Sequence, residues 1–206
     1  MHFLTSLFYL NPRYPKLPLD TKLLGPRIVL RMGTPSDWRH WRALRDSSRD
    51  FLVPWEPTWP PNSLSYGHFT GVLRRHGSEW RRGKAYTFFI FTHEATLLGG
   101  IALNDVQRGI AQKATLGYWI GKPFAGQGYM TEAVQLICGL AFETLRLHRL
   151  EASCLPHNEP SKHLLQRLGF EQEGYAKAYL QINGLWQDHI LWGKAFHAGN
   201  QTNKNP

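Results

Sequence analysis

The stretch PFAGQGYMTEAVQLICGLAFETL, residues 123–145, constrains the fold more than any other. Gly126 and Gly128 precede a run in which Met130, Val134, Ile137, Ala141, Phe142 and Leu145 recur at spacings of three and four. That spacing puts the apolar side chains on one stripe of a helix, and the stripe has to be buried against another layer. The flanking runs KATLGYWIG (113–121) and RLEASCL (149–155) read as strands, so the buried stripe faces a sheet.

The rest of the chain supplies that sheet. RIVLRM (27–32) reads as a strand, and TPSDWRHWRALRD as a helix with Thr34 as N-cap and Pro35 in its first position. A loop rich in proline and tryptophan, FLVPWEPTWPPNS, leads to a second helix capped by Asn62 or Ser63 and running to about Arg82. AYTFFIFTH (85–93) and TLLGGIALNDV (96–106) are joined tightly enough around Glu94 to form a hairpin. After the strand at 149–155, EPSKHLLQRLGF reads as a short helix closed by Gly169. Asn183-Gly184 then marks a hairpin between the last two strands. The order β-α-α-β-β-β-α-β-α-β-β predicts one α+β domain with helices packed on a mixed sheet.

A chain of 206 residues suffices for one well-cored domain. No apolar run reaches the ~18 residues that span a bilayer, so no membrane role is expected. The start, MHFLTSLFYLNPRYP, lacks the basic segment and small-residue cleavage site of a signal peptide. Residues 1–22 read as an arm in which Pro12, Pro15 and Pro18 oppose regular structure; the domain spans 23–197, and 198–206 form a disordered tail. The two cysteines, Cys138 and Cys154, fall in apolar runs and read as free buried thiols, in keeping with a reducing cytoplasm. The net charge of +9 predicts attraction to polyanions, either a phosphate-bearing small molecule or nucleic acid assemblies. The positive residues cluster at Arg39, Arg42 and Arg45 and at Arg74, Arg75, Arg81, Arg82 and Lys84. Zinc-finger, RNP and basic-zipper patterns are absent, so no sequence-specific nucleic-acid binding is expected.

A helix N-terminus carries unpaired N–H groups and roughly half a positive charge. Glycines before it let the backbone approach an anion, so AGQGYMT suits a phosphate or pyrophosphate, with the Thr131 hydroxyl as an added donor. A P-loop would need Gly-Lys-Ser/Thr where Gly128-Tyr129-Met130 stands, and a dinucleotide fingerprint would need glycine in place of Thr131. Asn158 and Ser161 sit where a strand passes into a helix; they suit either an extended polar ligand or plain helix capping. His157 and His163 do not make a zinc site, and no metal is expected.

GYWIGKPFAGQGYMTEAV together with HRLEASCLPHNEPSKHLLQRLGFEQEGYAKAYLQINGLWQDHILW resembles the GNAT superfamily of acetyl-CoA N-acetyltransferases, in particular its RimJ/RimL type. VPWEPTWPP is similar to the branch that acetylates a ribosomal-protein alanine. The likeness covers about residues 24–196. It implies a mostly antiparallel seven-stranded mixed sheet, splayed between strands four and five, with helices on both faces. It implies acetyl-CoA as co-substrate, held by Tyr118, Trp119 and Ile120 along the pantetheine arm and by Ala125, Gly126, Gln127, Gly128, Tyr129, Met130 and Thr131 at the pyrophosphate. Asn158 would hold the pantetheine amide, Ser161 would protonate the departing thiolate, and His163 or Arg167 would meet a CoA phosphate. Two departures matter: Ala125 stands where the family usually has a cationic or amide residue, and Thr115 where some members carry a candidate glutamate base.

Without that base the acceptor must lose its proton easily. An α-amine, with a pKa of ~7.7–8.0, is about a tenth neutral at pH 7, whereas lysine near ~10.4 is almost wholly charged. The chain is therefore expected to acetylate the N-terminal α-amino group of a ribosomal protein, alanine being the residue implied. Glu56, in PWEP, is the candidate acid that holds the incoming ammonium or takes its proton. The basic clusters would guide transient contact with a ribosome or its precursor. The alternatives are the same chemistry on an amino acid, polyamine or aminoglycoside, or a weakly active CoA-binding ribosome-assembly factor.

Overall fold

In the computed structural model, which describes residues 14, 15 and 17–196, the stripe after the glycine pair is buried as its spacing requires. Val134, Ile137, Ala141 and Leu145 are fully buried, and half-buried Met130 packs against the same core. The expectations for residues 1–13, 16 and 197–206 lie outside the described residues. In chain order the elements are β1 (Lys22–Leu24), β2 (Ile28–Arg31), α1 (Trp38–Ser47), α2 (Arg49–Leu52), α3 (Tyr66–Arg81), β3 (Tyr86–Thr92), β4 (Leu97–Gln107), β5 (Lys113–Ile120), α4 (Tyr129–Gly139), β6 (Arg149–Cys154), α5 (Glu159–Arg167), β7 (Glu171–Ile182) and β8 (Leu185–Ala195). Beyond Gly139 the stripe continues through a wider π-turn over Leu140–Thr144.

The sheet has eight strands in the order β1-β2-β3-β4-β5-β6-β8-β7. Every neighbouring pair is antiparallel except β5 and β6. The strand beyond the expected seven is β1, whose three residues are too few to show an alternating pattern. The hairpin at Asn183-Gly184 forms as expected, both residues taking positive φ of 45° and 82°.

One helix start differs from expectation, and another, at Thr34, is capped as expected but opens with a tighter turn. The cap of α3 is Ser65, whose Oγ accepts from the His68 N–H at 3.2 Å. Neither Asn62 nor Ser63 serves, because the chain there is still closing turns through Ser63 N–H to Pro60 C=O and Ser65 N–H to Asn62 C=O. At Thr34 a short 3-10 turn, Pro35–Asp37, precedes α1. There Asp37 Oδ2 accepts from the Thr34 N–H at 2.7 Å, and the carboxylate takes two bonds from Arg31, at 2.8 and 2.7 Å.

The join between β5 and β6 positions the site. They pair only at Lys113–Arg149, Ala114–Leu150 and Thr115–Glu151. Beyond Thr115 the register of β5 continues on the β4 side alone, so Tyr118, Trp119 and Ile120 have no strand on their other edge. A chain of ion pairs clasps the base of the gap: Lys113 to Glu151 at 2.8 Å, Arg149 to the same carboxylate at 3.1 Å, and Arg149 to Glu173 on β7. Half-exposed pairs of this kind are worth up to about 1 kcal/mol each, enough to hold a register that hydrophobic burial already favours. Cys138 and Cys154 are free thiols; Cys138 is only half-buried, contrary to expectation, because it lies toward the outer side of its helix turn, whereas Cys154 is buried and accepts from Trp192 Nε1 at 3.3 Å. Among the described residues no helix is long and apolar enough to cross a membrane.

Candidate active site

The glycine turn has the backbone its sequence calls for. Gly126 and Gly128 have φ of 75° and 81°, a left-handed conformation that side chains strain against. A Cβ on Gly126 would meet no atom within 4 Å and so projects into open space. Gly128 is the N-cap of α4. The N–H groups of Tyr129, Met130 and Thr131 therefore have no partner within the helix, and among the described residues they find none elsewhere.

What holds this turn lies a hundred residues away and left no local mark in the sequence. Glu132 in the first turn of α4 accepts from the Arg27 N–H at 2.8 Å, from the Ile28 N–H at 3.2 Å and from Arg27 Nε at 3.0 Å. Arg27 in turn donates to the Gln127 carbonyl at 3.0 Å and lies over the Tyr129 ring at 4.7 Å. Start of β2, turn and helix are thus tied together, and the Glu132 carboxylate beside the turn is paired with Arg27. Gln127 Nε2 donates to the Pro123 carbonyl at 2.7 Å and braces the turn from inside.

A cleft of about 480 Å³ opens between the parted strands. Its walls include Tyr118, Trp119, Ile120, Ala125, Gly126, Gly128, Tyr129, Met130, Thr131, Asn158, Ser161 and His163, along with Glu56 and Arg167. Of the expected cofactor residues only Gln127 stays out of the wall. Phe51, Leu52, Trp55, Phe124 and Leu164 also line the cleft. Sequence reasoning missed them because apolar wall residues look like core residues.

At the head of α5 the two readings of Asn158 and Ser161 coexist. Asn158 Oδ1 caps the helix by accepting from the Ser161 N–H at 3.1 Å, which leaves the Asn158 amide N–H groups toward the cleft free of any protein partner among the described residues. Ser161 Oγ is 2.5 Å from the Tyr118 hydroxyl. Burial pushes the Tyr118 phenol up to about 12 against the lowering effect of the Ser161 bond, so Tyr118 keeps its proton at neutral pH.

A second cavity, of about 310 Å³, lies between the sheet and helices α1 and α3. It shares Glu56, Tyr118 and Trp119 with the cleft, so the two meet there. Glu56 is at the expected place but already engaged. Its two oxygens accept from Arg45 at 2.8 and 2.6 Å, and one also accepts from Trp59 Nε1 at 2.7 Å. The Arg45 guanidinium stacks near Trp59 at 4.2 Å and Trp119 at 4.9 Å. Arg45 accordingly leaves the exposed basic cluster in which the sequence grouped it. Arg39, Arg42, Arg74, Arg75, Arg81, Arg82 and Lys84 are exposed, and none forms an ion pair among the described residues. Thr115 lines neither cavity; it faces Asn104 and Glu151 in the sheet register. His157 lies against Trp55 with ring centroids 5.4 Å apart. Among the described residues no group of three His, Cys, Asp or Glu could hold a metal.

Comparison with known proteins agrees with the fold. The family model described as acetyltransferase (GNAT) domain matches residues 27–171. A [ribosomal protein uS5]-alanine N-acetyltransferase of Escherichia coli is 36% identical over 189 residues, 90% of this chain and 94% of that protein. The structure of Mycobacterium smegmatis RimJ in complex with CoA-disulfide superposes with a TM-score of 0.81 at 28% identity, over 85% of this chain and 88% of that one. A ribosomal-protein-S5-alanine acetyltransferase from Vibrio fischeri gives a TM-score of 0.79 at 28% identity, over 91% of this chain and all of the other.

Proposed function

The chain belongs to the GNAT acetyltransferase family, and on that premise we propose that it transfers acetyl from acetyl-CoA to the N-terminal α-amino group, alanine, of a ribosomal protein. The observation that carries this is the meeting of two cavities at Tyr118, Trp119 and Glu56. One has the anion-binding turn and an unpaired strand edge; the other is lined largely by aromatic side chains. Two substrates, one long and anionic and one a small amine, fit such a pair.

Acetyl-CoA supplies an activated acyl group. The residues present fit it: unpaired N–H groups at 129–131 and the open left-handed turn suit its diphosphate, and the free edge of β5 suits its pantetheine amides. The Asn158 amide is free to donate to one of those amides while its oxygen caps α5. In the transfer the neutral amine attacks the acyl carbon, the C–N bond forms, the C–S bond breaks, and the amine's extra proton leaves to water. Ser161 passes a proton to the departing sulfur and recovers one from solvent water, with the Tyr118 hydroxyl holding its oxygen in place.

With Glu56 taken up by Arg45 and Thr115 outside both cavities, no free carboxylate among the described residues stands ready as a base. That favours the α-amine over lysine, since only the α-amine is appreciably neutral near pH 7. The same lack of an unpaired acid disfavours polyamines and aminoglycosides. The names of the relatives support ribosomal protein as acceptor. The exposed arginines of α1 and α3 suit contact with a ribosome or its precursor, a term that weakens with salt. The test compares initial rates, read by thiol release from acetyl-CoA, on two peptides. One begins with a free alanine and lacks lysine; the other has a blocked N-terminus and one lysine. The alanine peptide is expected to react faster, and faster lysine modification would overturn the assignment.

A further inference from the structure

Two polar side chains in the cavity between the sheet and α1/α3 have no part in the steps above. His76 comes from α3, and Asn104 from β4. Neither side chain has a hydrogen-bond partner among the described residues, whereas Arg45 and Glu56 are engaged with each other and the Tyr118 hydroxyl with Ser161. The space for Asn104 is kept by Gly117 across the β4–β5 ladder, where an added Cβ would stand 3.2 Å from Asn104 Nδ2. Trp41, Phe69 and Phe89 supply an apolar wall around these two groups. Together His76 and Asn104 offer an imidazole acceptor and an amide donor beside the Thr87 hydroxyl, and the Arg45–Glu56 pair leaves the lining without net charge. Both groups are half-exposed toward the cavity, where water or a ligand can pair with them.

The set matches a peptide N-terminus better than other amines. Such a terminus has a single amine and, two bonds further on, a carbonyl carbon whose oxygen accepts hydrogen bonds. A polyamine has further charges for which the cavity holds no unpaired carboxylate, and it has no carbonyl. We propose that His76 and Asn104 are the acceptor-recognition pair, the His76 ring accepting from the α-amine and the Asn104 amide donating to the carbonyl oxygen of the first residue. Burial, helped by Arg75 beside it, lowers the His76 pKa to about 4. Its ring is thus uncharged at neutral pH and does not repel an arriving ammonium. This assignment rests on the N-terminal reading of the acceptor and adds the groups that read it.

The test uses the full chain with His76→Phe and Asn104→Leu, an alanine-terminated peptide and acetyl-CoA. The peptide KM is expected to rise at least tenfold in each variant, while the KM for acetyl-CoA and the CoA affinity by calorimetry stay within twofold. His76→Gln, which keeps an acceptor, should recover part of the loss. Asn104→Asp, which adds an unpaired acid, should raise kcat/KM for 1,4-diaminobutane relative to the peptide. Should Asn104→Leu fail to bind CoA, Asn104→Ser gives the same readout at lower steric risk. Wild-type protein that acetylates the peptide, with peptide KM within twofold in the variants, overturns the pair and leaves the N-terminal reading standing. Wild-type protein that binds CoA and acetylates the diamine but not the peptide overturns both.

Discussion

Replacing Glu56 separates two roles for it, proton acceptor and anchor. The carboxylate takes two bonds from Arg45 and one from the Trp59 indole, and the paired side chains are only 13% and 19% exposed. Solvent screens such a pair weakly, and deleting one partner of a buried pair costs ~3–5 kcal/mol because the other charge is stranded. The stranding would be severe here, since Arg45 Nε is already buried without a partner. Glu56→Gln is gentler. It keeps the shape and one acceptor oxygen but loses a charge-assisted bond, at ~1.5–3 kcal/mol. At roughly 2–4 °C per kcal/mol for a chain of this size, the melting temperature should fall by about 3–12 °C. Loss of a proton relay would instead raise the barrier, and a tenfold fall in kcat corresponds to ~1.4 kcal/mol. Calorimetric melting and kcat measured well below the melting range distinguish the two. The anchor role predicts a clear fall in melting temperature with kcat lowered less than tenfold. A double-mutant cycle with Arg45→Gln should then show strong coupling in stability. An unchanged melting temperature with kcat down tenfold or more would refute this reasoning and restore Glu56 as acid or base.

Asp37 is held below the ordinary carboxylate range. Burial pushes its pKa up, but the Arg31 bonds and the Thr34 N–H and hydroxyl outweigh it. A lowered folded-state pKa adds stability that is fully present above the unfolded value near ~3.9 and is lost as pH falls through and below it. Asp37→Asn should therefore destabilise the protein by ~1.5–3 kcal/mol at pH 7 and flatten its acid limb between about pH 5 and 2 in urea titrations; equal loss at all pH values would contradict this. Gly126→Ala places a Cβ at φ 75°, in open space. It should cost about 1 kcal/mol by strain and weaken CoA binding severalfold in calorimetry, whereas unchanged affinity would remove the turn from the binding site.

Much of this was legible in the chain because the signals are local. Gly126-Gln127-Gly128 before an apolar stripe, Asn183-Gly184 between alternating runs, and Asn158 ahead of Pro160 each write their geometry within a few residues. The order of elements and the splay were within reach for the same reason, once the motifs were seen to resemble a known family. The rest depends on residues brought together from afar. Arg27 gives no sign of bracing a turn at 127, and Arg45 reads as one more surface arginine until Glu56 is folded against it. The cap at Ser65 was misplaced because Asn62 and Ser63 have equal propensity to cap and the turns that delay the helix leave no sequence mark. β1 was missed because a three-residue edge strand is defined by its neighbour rather than by its own pattern.

One bond ties the far end of the chain to the acceptor side: the Asn183 N–H donates to the Glu56 carbonyl at 2.9 Å. The tip of the last hairpin thereby buttresses the proline- and tryptophan-rich segment from outside. Any strain placed on that tip is therefore passed by a backbone bond to the wall that both cavities share, so their junction is set by residues from opposite ends of the domain.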